Sequence, residues 1–530
     1  QYNYWEPLSL LVRGRGFTTW EYQPQFALRS YLYLLIHAPV PYLFASLGGQ
    51  MVIAYYINRL LLSILYMCSV YSLCHAVRHR LDIFPSHTAN WLLFFFATSP
   101  ASVQWSGAFL PSTFSTVFAL FSLACLLRGR VRLAMCACAV QVVLGWPFTG
   151  ILTLSTLIYI IGLRQRLSLM AMGAVMTTML LGLLWIVDIF FYQTAVNPSM
   201  LNLLYYNVIQ NNSYLYGTED TTYYLKYCLL NCPATVLALF HAVLTCCSGK
   251  VNFQYLRRLY SQDASYLRSL LMPIVVFTPA FLFGGILLLQ PHKEERFLTP
   301  LVPFLLFIAA VIMGKVPLSF NINILSAFSA QVSRFQRGWT GVVIMSSLLL
   351  CASRLWRLHS FSTNAMKVAW FLAAVSVSVS TSPSASHAGI QSHSPQLCVS
   401  RAWHAIPPPS FVIPPTWNVA FLNSSTAANP HSMGCLPQWI PSPQTDPLPM
   451  NDDNEAWPGS VVTTSVRESC DVLWLDESEV ENHVKDPADL VAMHCEQLVR
   501  REWEQFPTRS FALPGKSGKE SKRCIYTWTK

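Results

Sequence analysis

A run of ionisable residues between two long apolar segments is the stretch of sequence best suited to chemistry. It reads QPHKEERFLTP over residues 290–300 and places five such side chains next to one another: His292, Lys293, Glu294, Glu295 and Arg296. Because residues 269–289 and 301–313 are almost wholly apolar, we predict a short loop between two membrane helices. Charges at a lipid boundary are costly to desolvate and tend to mark function. Lys and Arg neutralise phosphate, Arg in a bidentate manner, so we expect His292, Lys293 and Arg296 to bind one.

Two other interpretations of this run are weighed against phosphate binding. In the first, Glu294 and Glu295 pair with Lys293 and Arg296 and simply cap a loop between helices, as ion pairs at helix ends commonly do. In the second, His292 and the glutamates bind a metal ion. Adjacent residues cannot form the i, i+4 arrangement of a helical metal site, so we predict no metal.

Aromatic, acidic and amide side chains in two other segments extend the candidate site. The additional predicted substrate-binding residues are Trp5, Glu6, Trp20, Glu21, Tyr22, Arg29, Asn207 and Tyr216. Aromatic faces pack on the C–H surfaces of sugars, and carboxylates accept hydroxyl hydrogen bonds or act as a base. Together with the ionisable run, these residues suit a polar head group carried on a lipid tail.

The composition indicates a membrane protein. Of 530 residues, 53% are hydrophobic and only 11% are charged, with a mean hydropathy of +0.39. A soluble globule of this size needs more polar surface than that. The net charge is +10, but Lys and Arg lie in short groups between apolar runs and form no basic face with stacking aromatics, which argues against nucleic-acid binding.

Apolar segments long enough to cross a bilayer recur along the chain. We predict about ten, near residues 51–75, 87–105, 109–127, 133–147, 150–163, 168–191, 225–247, 268–289, 299–314 and 339–353. Those around Trp146 and Gly150 are short, and we expect them to be re-entrant or broken. The predicted fold class is therefore an all-α polytopic membrane protein with about ten transmembrane helices.

The basic residues orient these segments, because Lys and Arg are retained in cytoplasmic loops. This rule places the ionisable run and the C-terminal region in the lumen, where sequons at Asn211 and Asn423 also fall. We predict four regions: a luminal catalytic loop with one or two interfacial helices (1–50), a multi-span domain (51–354), a low-complexity linker (355–396) and a small luminal C-terminal domain of mixed or irregular structure (397–530). Strand-like runs lie at 460–466 and 470–475.

Several long motifs resemble one known family. They are NYWEPLSLLVRGRGFTTWEYQPQFALRSYLYLL, GAFLPS, LGWPF, NLLYYNV with LYGTE, and QPHKEERFLTPLVP. In this order they resemble the endoplasmic reticulum α-1,2-mannosyltransferases of N-glycan assembly, in glycosyltransferase family 22, which has the multi-span GT-C fold. The resemblance extends over nearly the full chain and is weakest at residues 361–396 and after about residue 476.

The resemblance implies a reaction and its partners. Family members transfer mannose from dolichyl phosphate mannose, with inversion, to a lipid-linked oligosaccharide on the luminal face of the endoplasmic reticulum membrane. They use no nucleotide sugar, cofactor or required metal. The implied partners are the dolichol-linked donor and acceptor, that membrane, and other mannosyltransferases of the pathway; no nucleic acid is implied.

The resemblance also implies where the catalytic base lies. The family carries an Asp-Glu pair immediately before the segment that corresponds to residues 2–7, so we expect the base, and a first transmembrane helix, upstream of Gln1. Glu6 and Glu21 are the nearest carboxylates in the sequence. Glu6 is a weak candidate for the base, and substrate positioning is favoured for both, since a base must reach the acceptor proton directly.

Three alternatives remain open. One is a mannosyltransferase of glycosylphosphatidylinositol-anchor assembly. Another is a lipid transporter, which should show paired repeats and ionisable residues near mid-membrane; Asp188 alone is a plausible residue of this kind, and it lies close to a predicted helix end. The last is a non-catalytic scaffold for partner enzymes.

Overall fold

A computed structural model gives the fold of most of the chain. It describes residues 3–14, 16–164, 167–213, 218–233, 235–240, 264–314, 338 and 341–356, and six short strands between residues 396 and 528. Two compact units are present. The first unit comprises Gln1–Asn58, Val187–Gly217 and Leu358–Lys530, and the second comprises Arg59–Ile186 and Thr218–Arg357.

The described part of the chain is mostly helical. In chain order its helices are α1 (Trp5–Arg13), α2 (Tyr31–His37), α3 (Pro39–Ser46), α4 (Met51–Arg78), α5 (Thr88–Thr98), α6 (Pro100–Ser106), α7 (Pro111–Leu127), α8 (Val131–Val140), α9 (Leu154–Ile158), α10 (Leu167–Tyr192), α11 (Ser199–Leu204), α12 (Tyr223–Asn231), α13 (Ala264–Leu289), α14 (Val302–Met313) and α15 (Gly341–Trp356).

Helices suited to a bilayer confirm the predicted membrane character. By length and composition, three helices in the described residues can cross a membrane: α4, Ser168–Tyr192 within α10, and Met272–Leu289 within α13. The α6–α7 pair, bent by 110°, would make a fourth. The total of about ten spans stays a prediction.

The predicted single helix over residues 87–105 is wrong. Pro100 has no N–H with which to continue a helix, so α5 ends at Thr98 and α6 begins at Pro100. The Ser99 hydroxyl caps the new helix by accepting a hydrogen bond from the Ser102 amide at 3.4 Å, a common role of serine at helix starts. Two short helices therefore replace one.

The predicted break around Trp146 is confirmed. After α8 the chain forms a π-helical turn (Gln141–Gly145), a 3-10 helix (Pro147–Thr153), α9 and a second π-helical turn (Tyr159–Arg164). A Cβ atom on Gly145 would lie 2.1 Å from the Ser115 hydroxyl oxygen. That hydroxyl donates to the Gln141 carbonyl and accepts from the Trp146 amide. The close approach at Gly145 thus fixes the backbone of Trp146.

The N-terminal part of the first unit has three helices where one or two were predicted. Helix α1 ends at Gly14, which adopts the left-handed conformation (φ 67°) that glycine favours. Strand β1 (Gly16–Thr18) and a 3-10 turn (Trp20–Tyr22) follow, before α2 and α3. Gly16 has a φ of 144°, and a Cβ there would lie 3.0 Å from the Glu6 carbonyl oxygen, so glycine lets the chain turn back against α1.

The first unit also contains the C-terminal strands. They are β2 (Gln396–Val399), β3 (Asn418–Phe421), β4 (Gln438–Ile440), β5 (Val472–Asp476), β6 (Leu490–Leu498) and β7 (Ser521–Trp528). Strand β4 pairs antiparallel with β1, and the other five form one mixed sheet in the order β3-β2-β5-β7-β6. Strand β5 overlaps the predicted run 470–475; run 460–466 and almost all of the predicted linker lie outside the described residues. The boundaries of the four predicted regions stay predictions.

Close helix packing forms the core of the second unit. Large side chains fill it, among them Trp91, Phe95, Phe283 and Phe307, each less than 2% exposed. A Cβ on Gly314, the residue that follows α14, would lie 2.2 Å from the hydroxyl oxygen of Thr88 at the start of α5. In lipid, where apolar burial gives little drive for helix association, such close contact supplies the packing energy.

A buried carboxylate joins three segments of the first unit. Asp188, near the end of α10, is fully buried. Its Oδ1 atom accepts hydrogen bonds from the Ser30 hydroxyl (2.8 Å) and the Tyr31 amide (3.1 Å) at the start of α2. Its Oδ2 atom accepts from the Ser199 amide (3.4 Å) at the start of α11. Free amides at helix starts attract negative charge, so Asp188 stabilises two helix starts at once.

We expect Asp188→Ala to destabilise the first unit markedly. The change leaves two buried backbone amides without their acceptor, at about 1–3 kcal/mol for each such group. Asp188→Asn should cost less, because its carbonyl can still accept at α2. In thermal unfolding in detergent, the Tm should fall from wild type to Asp188→Asn and again to Asp188→Ala. The control is Asp82→Asn, whose partner Arg80 lies at an exposed site; an equal loss of Tm there would contradict the assignment.

Candidate active site

The predicted site residues fall into two groups, one in each unit. The first unit contains Trp5, Glu6, Trp20, Glu21, Tyr22, Arg29, Asn207 and Tyr216, and the second unit contains the run from His292 to Arg296. Each group is described separately below.

In the first unit, Glu21 and Arg29 bind each other. Arg29 donates to Glu21 Oε1 at 2.6 Å and also contacts the Tyr4 hydroxyl and ring. Asn3 donates to the other Glu21 oxygen, and the Tyr22 hydroxyl donates to the Asn3 carbonyl at 2.9 Å. These contacts attach the start of α1 to the turn at residues 20–22.

The electrostatics of this group favour a stable ion pair between Arg29 and Glu21. Burial lowers the pKa of Arg29, but the adjacent Glu21 carboxylate outweighs it and raises the pKa overall. The side chains of Arg29 and Glu21 are only 15% and 13% exposed. Much of their hydrogen-bonding capacity is therefore used within the protein, which suits a role in positioning α1.

The other first-unit candidates are enclosed or bonded locally. Trp5 and Glu6 are fully buried, and the Trp5 ring meets Tyr55 edge-on at 5.0 Å. Asn207 donates to the Leu203 carbonyl one turn earlier, at 2.9 Å. Because Glu6 is enclosed, its carboxylate does not face solvent in this conformation, and its role stays a prediction. The side chain of Trp20, and Tyr216 as a whole, lie outside the described residues.

In the second unit, one carboxylate contacts a guanidinium and an imidazole. Glu294 accepts from both Nε and NH2 of Arg296, the latter at 2.8 Å. Its Oε1 atom also lies 3.0 Å from Nε2 of His292. Burial raises the pKa of Glu294, but the Arg296 charge and the His292 contact outweigh it and lower the pKa to about 2. Glu294 is thus ionised at neutral pH and orients both neighbours.

Lys293 uses its ammonium on backbone oxygens. It donates to the carbonyls of Glu219 (3.0 Å) and Gln290 (2.6 Å) and is only 5% exposed. The Glu219 amide in turn donates to the Pro291 carbonyl at 3.0 Å. Burial lowers the pKa of Lys293, with partial compensation from Asp220 and Glu219. Lys293 therefore joins the LYGTE and QPHKEERF motifs, and its binding of phosphate stays a prediction.

Glu295 faces the interior of the second unit, unlike Glu294. Its Oε1 atom is buried and has no hydrogen-bond partner among the described residues. Burial raises its pKa to about 7, and the charge of Arg354 offsets this only in part. Arg354, on α15, is 7% exposed and donates from Nε to the Asn231 side chain at 3.1 Å.

Two aromatic residues that the sequence analysis did not place in the site lie against it. Phe297 stacks on Trp146 at 5.3 Å with 21° between the rings. Arg296 lies over the Phe297 ring at 5.6 Å, and the His292 ring meets it edge-on at 5.8 Å. The signal in the sequence for Trp146 was its position in the LGWPF motif. Trp105 donates its indole N–H to the Tyr227 hydroxyl at 2.8 Å.

The pairing within the ionisable run is more selective than the capping interpretation. Glu294 pairs with Arg296 as that interpretation expected, whereas Lys293 binds carbonyls. Within the described part of the chain, no three or more His, Cys, Asp and Glu side chains are grouped so as to hold a metal ion. The arrangement at the loop is a partly exposed guanidinium and imidazole, oriented by a carboxylate and backed by an aromatic ring, which is suited to receive an oxyanion.

A family model covers both groups of residues. It is described as the Alg9-like mannosyltransferase family and matches residues 1–413. The chain belongs to the Alg9-like mannosyltransferase family.

Individual members of the Alg9-like mannosyltransferase family are similar over long stretches. The protein named Alpha-1,2-mannosyltransferase ALG9 from Arabidopsis thaliana is 32% identical over 66% of this chain and 58% of its own length. The Mus musculus protein of that name is 28% identical over 98% of this chain and 80% of its own length. The Homo sapiens protein of that name is 28% identical over 88% of this chain and 73% of its own length.

A solved structure can also be superposed. It is the crystal structure of ArnT from Cupriavidus metallidurans bound to undecaprenyl phosphate, with 12% identity and a TM-score of 0.48 over 98% of this chain and 95% of that chain. A score of this size does not by itself establish a shared fold.

Glu295 should give this member of the Alg9-like family a distinctive pH dependence of stability. Its pKa, about 7 against an ordinary 4.5, means that the folded chain holds this proton more tightly than the unfolded chain. The stabilisation is fully present below about pH 4.5 and is lost as the pH rises through 7. We therefore expect Glu295→Gln to raise the Tm relative to wild type more at about pH 8 than at about pH 5, with a difference in the free energy of unfolding of at most about 3 kcal/mol.

The neighbouring glutamate is the matched control. The pKa of Glu294 is lowered to about 2, so its ionised form stabilises the fold at pH values above 4.5, and this stabilisation is lost as the pH falls through 2. Glu294→Gln should therefore lower the Tm at both of the tested pH values. A pH-independent effect of Glu295→Gln would contradict the assigned environment.

Proposed function

We propose that this chain transfers mannose in α-1,2 linkage, with inversion, from dolichyl phosphate mannose to the lipid-linked oligosaccharide precursor of protein N-glycosylation. Membership of the Alg9-like mannosyltransferase family and the printed names of the similar proteins support this proposal. The observation that carries it is the oriented pair His292 and Arg296, partly exposed next to the end of the apolar helix α13.

The proposed donor site uses this pair for phosphate. The side chains of His292 and Arg296 are 16% and 33% exposed, and that of Glu294 is 32% exposed. An arriving phosphate competes with Glu294 for donors that are already aimed, so little reorganisation is needed. Stabilising the charge that develops on the departing phosphate is the usual electrostatic contribution to such a transfer. Lys293, in the same loop, adds a further positive charge.

The first-unit group serves the substrates by shaping their surroundings. The contacts of Glu21 and Arg29 hold the start of α1, and Trp5 and Glu6 lie inside that structure. Trp20, Tyr22, Asn207 and Tyr216 complete the proposed substrate-binding set.

The proposed setting follows the sequence predictions. About ten spans of GT-C type cross the endoplasmic reticulum membrane, and the active site and the C-terminal domain face the lumen. The donor and acceptor are both dolichol-linked, other mannosyltransferases of the pathway are partners, and no cofactor or metal takes part. The apolar helices and the family membership support this arrangement.

A transfer assay tests the proposal. The chain is reconstituted in liposomes with labelled dolichyl phosphate mannose and either a lipid-linked oligosaccharide or a glycosylphosphatidylinositol precursor, and the product is digested with an α-1,2-mannosidase. It is assayed as given and with a preceding segment that carries the family's Asp-Glu pair. Mannosidase-sensitive label in the oligosaccharide alone supports the proposal. Label in the other acceptor favours anchor assembly, and no label from folded protein in either form favours a scaffold.

Arg296→Lys should weaken donor binding. Lysine keeps the positive charge but cannot make the bidentate contact of a guanidinium, so we expect the KM for the donor to rise about tenfold, at about 1.4 kcal/mol. The control is Arg80→Lys, because Arg80 also contacts a carboxylate through two nitrogens, at 2.8 Å each to Asp82. An unchanged donor KM in Arg296→Lys, or an equal rise in the control, counts against phosphate binding here.

A further inference from the structure

The positions of His292 and Arg296 in the candidate site do not depend on Glu294 alone. The Phe297 ring contacts both members: the Arg296 guanidinium carbon lies 5.6 Å from its centroid, and the His292 ring centroid lies 5.8 Å away at 71°. A cation over an aromatic face is attracted by the ring quadrupole. The orientation of Phe297 therefore affects where the guanidinium lies.

Trp146 in turn sets the orientation of Phe297. The two rings are stacked at 5.3 Å with an interplanar angle of 21°. Trp146 also meets Phe148 at 5.3 Å and Phe283 at 6.2 Å, so its ring is held on several sides. Stacked aromatic pairs gain energy beyond the area they bury and restrict one another's rotation.

The backbone of Trp146 is fixed as well. Its amide donates to the Ser115 hydroxyl, which donates to the Gln141 carbonyl at 2.8 Å. The absence of a side chain at Gly145 permits this approach, because a Cβ there would lie 2.1 Å from the Ser115 oxygen. The break after α8 thus presents the indole at a set position.

We propose that Trp146 is a positioning residue of the donor site, acting through Phe297 to hold the Arg296 guanidinium where it can meet the donor phosphate. This step rests on the proposed function only in naming the phosphate; the contacts among Trp146, Phe297 and Arg296 stand without it. Trp146 itself need not touch substrate.

Chemical labelling reports the position of Arg296 and does not depend on enzymatic activity. Phenylglyoxal modification in detergent, quantified by mass spectrometry, reports how free a guanidinium is. Arg80 is the internal reference, because its side chain is 29% exposed against 33% for Arg296 and it is likewise paired with a carboxylate. General loosening of the fold raises both rates, whereas loss of positioning raises the Arg296 rate alone.

Trp146→Leu keeps an apolar side chain and removes the stacking face. We expect it to raise the Arg296-to-Arg80 labelling ratio about threefold to tenfold. Trp146→Phe keeps a face and should restore most of the wild-type ratio. Phe148→Leu is the matched control, because Phe148 contacts Trp146 in the same segment but is not the ring beneath Arg296. Phe297→Leu removes the link from the other side and should raise the ratio like Trp146→Leu.

The transfer assay then separates positioning from packing. Trp146→Leu should raise the donor KM by about the same factor with little change in kcat, and Trp146→Leu with Arg296→Lys should match Arg296→Lys alone, because effects on one chain of contacts are not additive. Unchanged labelling ratios in both Trp146→Leu and Phe297→Leu, or an equal rise in Phe148→Leu, overturn the proposal. If the ratios change while neither Arg296→Lys nor Trp146→Leu alters the donor KM, positioning stands and the donor-phosphate proposal fails.

Discussion

The carboxylate of Glu294, shared by His292 and Arg296, is the interaction on which the candidate site depends. An unpaired guanidinium near the end of a membrane helix is costly, and the carboxylate offsets that cost while leaving the cation within reach of solvent. Any anion that binds must then compete with Glu294. Binding by exchange of partners gains less energy than binding to a bare cation, but the donors are already oriented, which favours selectivity for a group of the right geometry.

The same need for compensation organises the rest of the described chain. Asp188 satisfies backbone amides at two helix starts, and Lys293 satisfies carbonyls from two different motifs. Such contacts are suited to a membrane protein, because inside the bilayer no water is available to replace a lost hydrogen-bond partner. Buried charge therefore acts here mainly as a connection between distant segments. Arg29, enclosed with Glu21, belongs to the same class.

The sequence was informative where a property depends on local composition. Apolar runs predicted the helices α4, α10 and α13, and the shortness of the apolar segments around Trp146 predicted a break. The sequence did not predict which partner each ionisable side chain of the run 292–296 binds, because five adjacent ionisable residues have many possible partners. That Lys293 turns to the Glu219 carbonyl, and that Trp146 stacks on Phe297, depends on tertiary packing between segments far apart in the chain.

Glu294 and Glu295 show why this matters for the proposed chemistry. By formal charge Lys293 and Arg296 balance the two glutamates, so the run looks neutral in the sequence. In the structure the Arg296 charge and the His292 contact lower the pKa of Glu294 to about 2 against the effect of its burial, whereas burial raises that of Glu295 to about 7. Near neutral pH Glu295 is protonated for part of the time, and the loop then carries net positive charge. The buried Arg354 lies close to this loop and adds a further positive charge, which the sequence composition of the loop does not reveal.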